Sequence, residues 1–329
     1  MKSQTVFKLL RLVVSVGLIA FLLARLDVGK IVQHLKGLLL APLLVAAGLD
    51  LAMILVQAWR WDVLLKARNV TIGFGKLVYY YLVSIFFSAF LPTSVGGDFA
   101  RIVAVSTATT RRADAVASIV LERIMGFFVL LPVSLLALPF VAARLKEWKL
   151  VVTAEVVGVL VVGGFLVLLV RPVARTFSQI LEPVFGLLSR FRARERLERV
   201  YSSIVIYKDA KGAVAAGIAL SVASRLLWVG ACYFICRAFS IKLGIAVLLV
   251  VAPIVELVRM VPVSVSGVGV REAAFVAMLR QFGVEDSLAF SFGAMVYVVF
   301  FLYALVGGIL YGARSLGRSK AAATGQPET

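Results

Sequence analysis

Two apolar stretches of this chain are interrupted by short segments whose residue types suit the binding of an anion. The first interruption reads Leu91-Pro92-Thr93-Ser94-Val95-Gly96-Gly97-Asp98, the second Val261-Pro262-Val263-Ser264-Val265-Ser266-Gly267-Val268-Gly269. Proline lacks an amide hydrogen and stops the incoming helix. Glycine permits the tight turn that follows. A helix restarting there aims free N–H groups and the positive end of its dipole at the turn, which favours negative charge. Arg101 and Arg271 follow the two breaks, and a planar guanidinium matches phosphate. Asp98 and Glu272 stand beside the breaks as a candidate acid–base pair, with Asp98 equally suited to an N-cap.

The two breaks superpose. Pro92 matches Pro262, Ser94 matches Ser264, Gly97 matches Gly267 and Arg101 matches Arg271, all at one offset of 170 positions. Apolar segments interrupted by Gly or Pro at corresponding places in two halves point to a transporter's binding site. For either break taken alone, a proline kink in an ordinary span is the plainer reading. Further charges lie within or at the edge of apolar stretches: Glu122, Arg123, Arg225, Glu256, Arg259 and Asp50. Each costs about 2.5–3.5 kcal/mol at mid-bilayer on insertion scales, so together they require pairing or a wet cavity. Glu256 and Arg259, three apart on one helix, are placed to pair. Glu122 and Arg123 are neighbours and point to different partners. Salt bridges between helices explain Glu122 and Glu256 about as well as substrate contact does. Arg60, in Ala58-Trp59-Arg60-Trp61, reads as part of an interfacial aromatic anchor.

The candidate substrate-binding set is therefore Pro92, Thr93, Ser94, Gly96, Gly97, Asp98 and Arg101 at the first break. Pro262, Ser264, Ser266, Gly267, Gly269, Arg271 and Glu272 form it at the second, with Glu122, Arg123, Glu256 and Arg259 between them. No catalytic residue, cofactor or metal is assigned. His34 is the single histidine and lies in a charged connector. Cys232 and Cys236 share a helix face and read as small core residues rather than a metal pair. Gly267-Val268-Gly269 is too short a pattern to count as a dinucleotide site.

These residues need a scaffold in the bilayer. The chain has 329 residues, 62% of them hydrophobic, with a mean hydropathy of +1.02. Soluble domains hold about 45–50% apolar residues, so lipid must cover the excess. Continuous spans are expected at 7–24, 38–58, 119–142, 150–170, 213–236 and 287–311, each near the roughly 20 residues that crossing needs. The first is expected to be retained rather than cleaved, because Ala-x-Ala is missing at its end. The broken stretches are 77–91 followed by 99–115, and 243–261 followed by 270–282. An outer-membrane barrel is excluded, since barrels read as short alternating segments. The net charge of +18 would suggest nucleic acid in a soluble protein. Here the basic residues sit between apolar runs, as topology signals and contacts to anionic headgroups.

The connector 171–211 carries nine Lys/Arg and reads as an amphipathic cytoplasmic helix under the positive-inside rule. The N-terminus, 60–76, Arg111/Arg112 and the tail with Arg314, Arg318 and Lys320 join it inside. Residues 25–36, 144–149 and Arg237/Lys242 fall outside. If each broken segment is a re-entrant hairpin, the first enters from the cytoplasm and the second from outside, as an inverted repeat requires. Two full crossings are the competing topology. The expected fold is thus an all-α polytopic membrane protein with about six to eight transmembrane helices, two of them re-entrant hairpins in an inverted repeat. It forms one domain over 1–318, with halves at about 1–170 and 171–318, and 319–329 as a disordered tail.

The paired breaks with Arg101, Glu122-Arg123, and Val270-Arg271-Glu272 after the second break resemble the transmembrane region of lysylphosphatidylglycerol synthases. This is the flippase-like family that includes the membrane half of multiple peptide resistance factors. The resemblance covers about 5–315. It implies translocation of an anionic or aminoacylated phospholipid, or a polyprenyl-phosphate lipid, across the inner membrane. In two-part relatives a soluble aminoacyl-transferase domain follows; it is not seen here, so synthase activity is not expected. The expected partners are a lipid with a phosphate headgroup, a separately encoded lipid synthase and a second copy of the chain, with no nucleic acid. Any driving force would be a gradient or downhill scrambling, with Glu256 and Glu272 as candidate proton carriers. Two rival classes stay open: a membrane transferase acting on lipid-phosphate sugars through Asp98 or Glu272, and a non-transporting partner of a synthase.

Overall fold

The computed structural model describes residues 26–90, 96–141, 209–259 and 264–324, with isolated positions between 17 and 24 and at 156 and 207. The expected span at 150–170, most of 7–24, nearly all of the 171–211 connector and Pro92, Thr93, Ser94 and Pro262 lie outside the described residues. The described residues form helices and loops, with no strand among them. In chain order the helices are α1 (Val28–Lys36), α2 (Leu40–Lys66), α3 (Phe74–Phe90), α4 (Gly96–Ala108), α5 (Arg112–Val141), α6 (Lys211–Ala238), α7 (Ile245–Arg259), α8 (Val270–Arg280) and α9 (Asp286–Thr324).

Four of these, α2, α5, α6 and α9 over Asp286–Ser315, are long and apolar enough to cross a membrane. The shortest has 27 residues, about 40 Å of helix against a hydrocarbon core of about 30 Å. α2 runs eight residues beyond the expected end at 58. Its last two turns carry charges that pair: Arg60 is buried against other helices, and Asp62 accepts from Lys66 at 2.6 Å one turn on. α5 likewise begins at Arg112, ahead of its apolar run.

α3–α4 and α7–α8 are hairpins, not kinked rods. A Cβ placed on Gly97 in α4 would overlap the Ser84 carbonyl and the Ser88 hydroxyl in α3. Along one straight helix residues 84 and 97 would stand about 20 Å apart, so the chain reverses between them. The matched Gly267, at φ +76°, approaches its own incoming helix in the same way, and a Cβ there would overlap the Arg259 stem. The legs hold 17, 13, 15 and 11 residues, from about 26 Å down to about 17 Å, short of the core thickness.

Contacts between loops define two ends of the bundle. At one end Arg68 pairs with Asp114 at 2.9 Å, Arg111 donates to the Arg68 carbonyl, and the Tyr207 hydroxyl donates to the Leu64 carbonyl. At the other, Lys30 pairs with Glu285 at 2.7 Å and the Leu39 amide donates to the Ala238 carbonyl. The Glu285 carboxyl is held below its usual range by the hydrogen bond from Lys30, and the Lys30 ammonium is raised by the same bond. Among the described residues, those assigned inside and outside by charge thus segregate to opposite ends. Both outer ends of the α3–α4 hairpin lie at the first end, and those of α7–α8 at the second.

Neighbour relations follow a twofold pattern. Exchanging α2 with α6, α3 with α7, α4 with α8 and α5 with α9 maps the contacts of one half onto those of the other. Thus α3–α9 becomes α7–α5, α4–α5 becomes α8–α9, and the extensive α2–α6 contact maps onto itself. Paired elements run in opposite directions, so the repeat is inverted. The largest apolar cluster joins α6, α7, α8 and α9, with Cys232 and Cys236 buried in it. A second cluster, around Trp61 and Tyr81, fills the first half.

Candidate functional site

Where the halves meet, six of the described helices line a partly open polar cavity of about 200 Å³. α2 contributes Gln57 and Arg60, and α3 contributes Tyr81 and Ser84. Asp98 and Arg101 come from α4, and Glu122 and Arg123 from α5. α6 adds Ser221, Ser224 and Arg225, and α7 adds Glu256. Counted from the end formed by Lys66, Arg112 and Lys211, Arg60, Glu122 and Arg225 lie six, ten and fourteen residues along their helices. That places the cavity about 10–20 Å deep.

Glu122 is the hub of its wall. It is 2% exposed, and its two oxygens accept from Arg60 Nη2 at 2.5 Å and Arg101 Nη1 at 2.8 Å. Arg60 also donates to the Ser221 hydroxyl at 2.8 Å, which ties the first half to α6. Arg101 donates to Asp98 at 2.9 Å, and Arg123 donates to the other oxygen of Asp98 from Nε at 2.7 Å and from Nη2. The Arg101 guanidinium lies over both the Trp61 and Tyr81 rings, 4.9 and 4.4 Å from their centroids, in two cation–π contacts. Trp61 is itself fixed by donating to Ser118 at 2.9 Å. Arg60 and Trp61 are therefore buried parts of the site rather than an interfacial anchor; of that motif only Trp59, 54% exposed, faces outward.

On the opposite wall Arg259 grips Glu256 through Nε at 3.1 Å and Nη2 at 2.5 Å. Arg225 contacts Trp228 one turn on, 5.2 Å from the ring centroid. Its charged neighbours are Glu256, Arg60 and Arg259, and no hydrogen bond joins its guanidinium to another described residue.

Of the sequence-derived candidates, the structure brings Asp98, Arg101, Glu122, Arg123 and Glu256 to one cavity, with Arg259 behind Glu256. Gly96 and Gly97 are buried at the start of α4. The described residues of the second break, 264–269, do not line the cavity. There Ser264 is buried with an unpartnered hydroxyl, Ser266 takes φ +52° and Gly269 φ +84°. Glu272 accepts the Gly269 amide at 2.6 Å, and Arg271 pairs with Glu272 at 3.1 Å beneath the Tyr297 ring. The N-terminus of α8 is thus capped by its own carboxylate, and Asp98 sits in the first turn of α4. Gln57, Tyr81, Ser84, Ser221 and Ser224 were not singled out from sequence, since uncharged polar residues in apolar helices carry no distinguishing pattern. Arg225 was visible as a charge in an apolar run. Among the described residues no cluster of His, Cys, Asp and Glu is arranged to hold a metal.

Two inverted helical halves, closing on a buried arginine-rich cavity in the membrane, define the class of protein. The chain belongs to the family of the lysylphosphatidylglycerol synthase TM region, which it matches over residues 8–308. It is also 22% identical over 293 residues to a UPF0104 membrane protein of Methanothermobacter thermautotrophicus, covering 84% of this chain and 86% of that protein. No solved structure matches the chain.

Proposed function

We propose that this protein moves a lipid with a phosphate headgroup between the leaflets of the cytoplasmic membrane, acting without chemical change to the lipid. One observation carries the reading: four arginines, Arg60, Arg101, Arg123 and Arg225, face a single cavity walled by both halves within the membrane-spanning bundle. A buried cluster of this kind persists only where it pairs or serves a polar passenger. The passenger's phosphate occupies the cavity while its acyl chains stay in lipid. The two hairpins are re-entrant from opposite faces, and the alternating exposure of the cavity comes from rocking of one half against the other, as inverted repeats permit. The end bearing Lys66, Arg68, Arg111 and Arg112 is cytoplasmic, together with the basic connector and both termini. A lipid synthase encoded elsewhere supplies the passenger, and a second copy of the chain is a possible partner.

The test is reconstitution into liposomes containing headgroup-labelled anionic phospholipid, with an impermeant quencher added outside. Wild type is expected to expose the inner-leaflet label to the quencher, and an Arg101→Ala/Arg225→Ala double variant, which removes two of the cavity's arginines, to do so at less than about one-tenth of that rate, the loss of one to two charge-assisted contacts. Equal rates for the two proteins overturn the proposal.

A further inference from the structure

We infer that Asp50 is a proton-binding site that couples movement of the lipid to a pH gradient. The inference rests on the transport reading above and goes beyond it by naming the driving ion and the group that carries it. Asp50 lies within the membrane-crossing helix α2, ten residues from its start at Leu40 and sixteen from its end at Lys66, about 15 and 24 Å along the axis. It is 8% exposed. Ala46 and Ile54, one turn away on the same face, are buried in the two apolar clusters. Arg60 and the arginine cavity lie about 15 Å further along the helix.

Among the described acidic residues of α2–α9, Asp50 alone has no basic partner. Asp62 pairs with Lys66, Asp98 with Arg101 and Arg123, Asp114 with Arg68, Glu122 with Arg60 and Arg101, and Asp286 with Arg280. Glu256 and Glu272, the carriers expected from sequence, are matched by Arg259 and Arg271, so neither needs a proton to be neutralised. The Asp50 Oδ1 is buried without a hydrogen-bond partner. α2 packs on α3, α5, α6 and α9. The titratable groups in electrostatic contact with Asp50 are the Cys232 thiol of α6 and the Tyr303 hydroxyl of α9. Tyr303 donates its proton to the Ala47 carbonyl at 2.6 Å. The charged groups of α3 and α5, Lys76, Arg112, Asp114, Glu122 and Arg123, lie at the cavity or at the end marked by Lys66. On α6, Arg225 lines the cavity and Arg237 is exposed.

A carboxylate in apolar surroundings with no cation is costly, and the group escapes the cost by holding a proton. A metal cation in its place would need several oxygen ligands, where the described side chains in contact offer one thiol and one hydroxyl. The scaffold itself does not require an acid here: at the repeat's offset of 170 positions Asp50 corresponds to Leu220 of α6. Asp50 sits on α2, which packs on α6 to join the two halves. Rocking of the halves across this helix pair opens the seat to water. There the acid gives its proton to a water molecule, and the carboxylate re-enters the apolar seat only after taking a proton from water on the side then open. One proton crosses per cycle, its O–H bond broken on one side and formed on the other, with no other bond changed.

The experiment uses the full chain in liposomes with headgroup-labelled phosphatidylglycerol in both leaflets, its distribution read with an impermeant quencher. With the two sides one pH unit apart, wild type is expected to build a label ratio between leaflets of up to about tenfold, which one proton per lipid sustains. The ratio should exceed that of protein-free liposomes and reverse when the gradient is reversed. A sodium gradient at equal pH should produce none. Asp50→Asn, a neutral stand-in for the protonated acid, should abolish the ratio. Infrared difference spectra in detergent near neutral pH should show a protonated-carboxyl band present in wild type and lost in Asp50→Asn, a signature independent of lipid movement. Wild type that moves label yet builds no ratio overturns the inference and spares the transport reading. A ratio driven by sodium, a ratio retained by Asp50→Asn, or a carboxyl band common to both proteins also overturns it. Wild type that moves no label defeats the transport reading, and this inference with it.

Discussion

At the scale of single residues, the site is a balance of buried charges in which each carboxylate has a defined set of arginines. Glu122 satisfies two guanidinium groups that have little contact with water. Replacing it by Gln takes away the carboxylate that Arg60 pairs with and leaves Arg101 only Asp98, which it shares with Arg123, a change that costs about 3–5 kcal/mol when a buried pair is broken. Glu122→Gln is therefore expected to lower the melting temperature in detergent markedly, while Glu285→Gln, at an exposed pair, leaves it unchanged. Much of this was legible in the sequence. Glu122, Arg123, Arg225, Glu256 and Arg259 stood out because a charge inside an apolar run demands a partner. Arg60 did not stand out, because flanking tryptophans imitate a membrane-interface anchor. Only the three-dimensional fact that Arg60 meets Ser221 of α6 and Glu122 of α5 separates the two readings.

The helices and hairpins have their own logic. The matched glycines allow each hairpin to close, one against Ser84 and Ser88 and the other against Arg259. Gly97→Ala and Gly267→Ala should each destabilise the protein by about 1–3 kcal/mol through overpacking, the second with the added strain of its positive φ. Gly48→Ala, which meets nothing within 4 Å, should be neutral or slightly stabilising, and thermal unfolding of the three variants checks the contrast. The tether of α1 to the start of α9 is a surface ion pair and titrates accordingly. Glu285 has a depressed carboxyl and Lys30 an elevated ammonium, so the contact is present across the neutral range. It is lost as pH falls through the lowered Glu285 value, or rises through the raised Lys30 value. Spin labels on α1 and α9 should report separation only at those extremes. The breaks themselves were readable from Pro, Gly and their common offset. Whether the chain reversed there was not, because a kink and a hairpin begin with the same residues. The lengthening of α2 past residue 58 was equally hidden, since hydropathy counts Arg60 and Asp62 as polar although both are buried by pairing.

For the whole molecule, the inverted repeat places basic loops at one end and the cavity nearer that end than the other. Single cysteines at Arg112 and Lys242, on a background with Cys232 and Cys236 changed to Ala, should report orientation in intact cells. Lys242→Cys is expected to react with an impermeant thiol reagent from outside, and Arg112→Cys only after permeabilisation. The membrane class and the repeat were evident from long apolar runs and matched breaks. The meeting point of the halves was not, because residues as distant as Arg60, Glu122 and Arg225 become neighbours only when α2 packs on α6.

The central claim is that a lipid phosphate resides in the arginine cavity between the halves. A photo-crosslinking amino acid at Gln57, which lines the cavity, tests it most directly, with Leu44, 73% exposed on the same helix, as the control that captures any lipid at the surface. After irradiation in native membranes, mass spectrometry should find a phosphate-containing lipid attached at 57, with its yield falling sharply in the Arg225→Gln background while capture at 44 persists. Adducts at 44 with none at 57, or capture at 57 that ignores Arg225, would contradict the account.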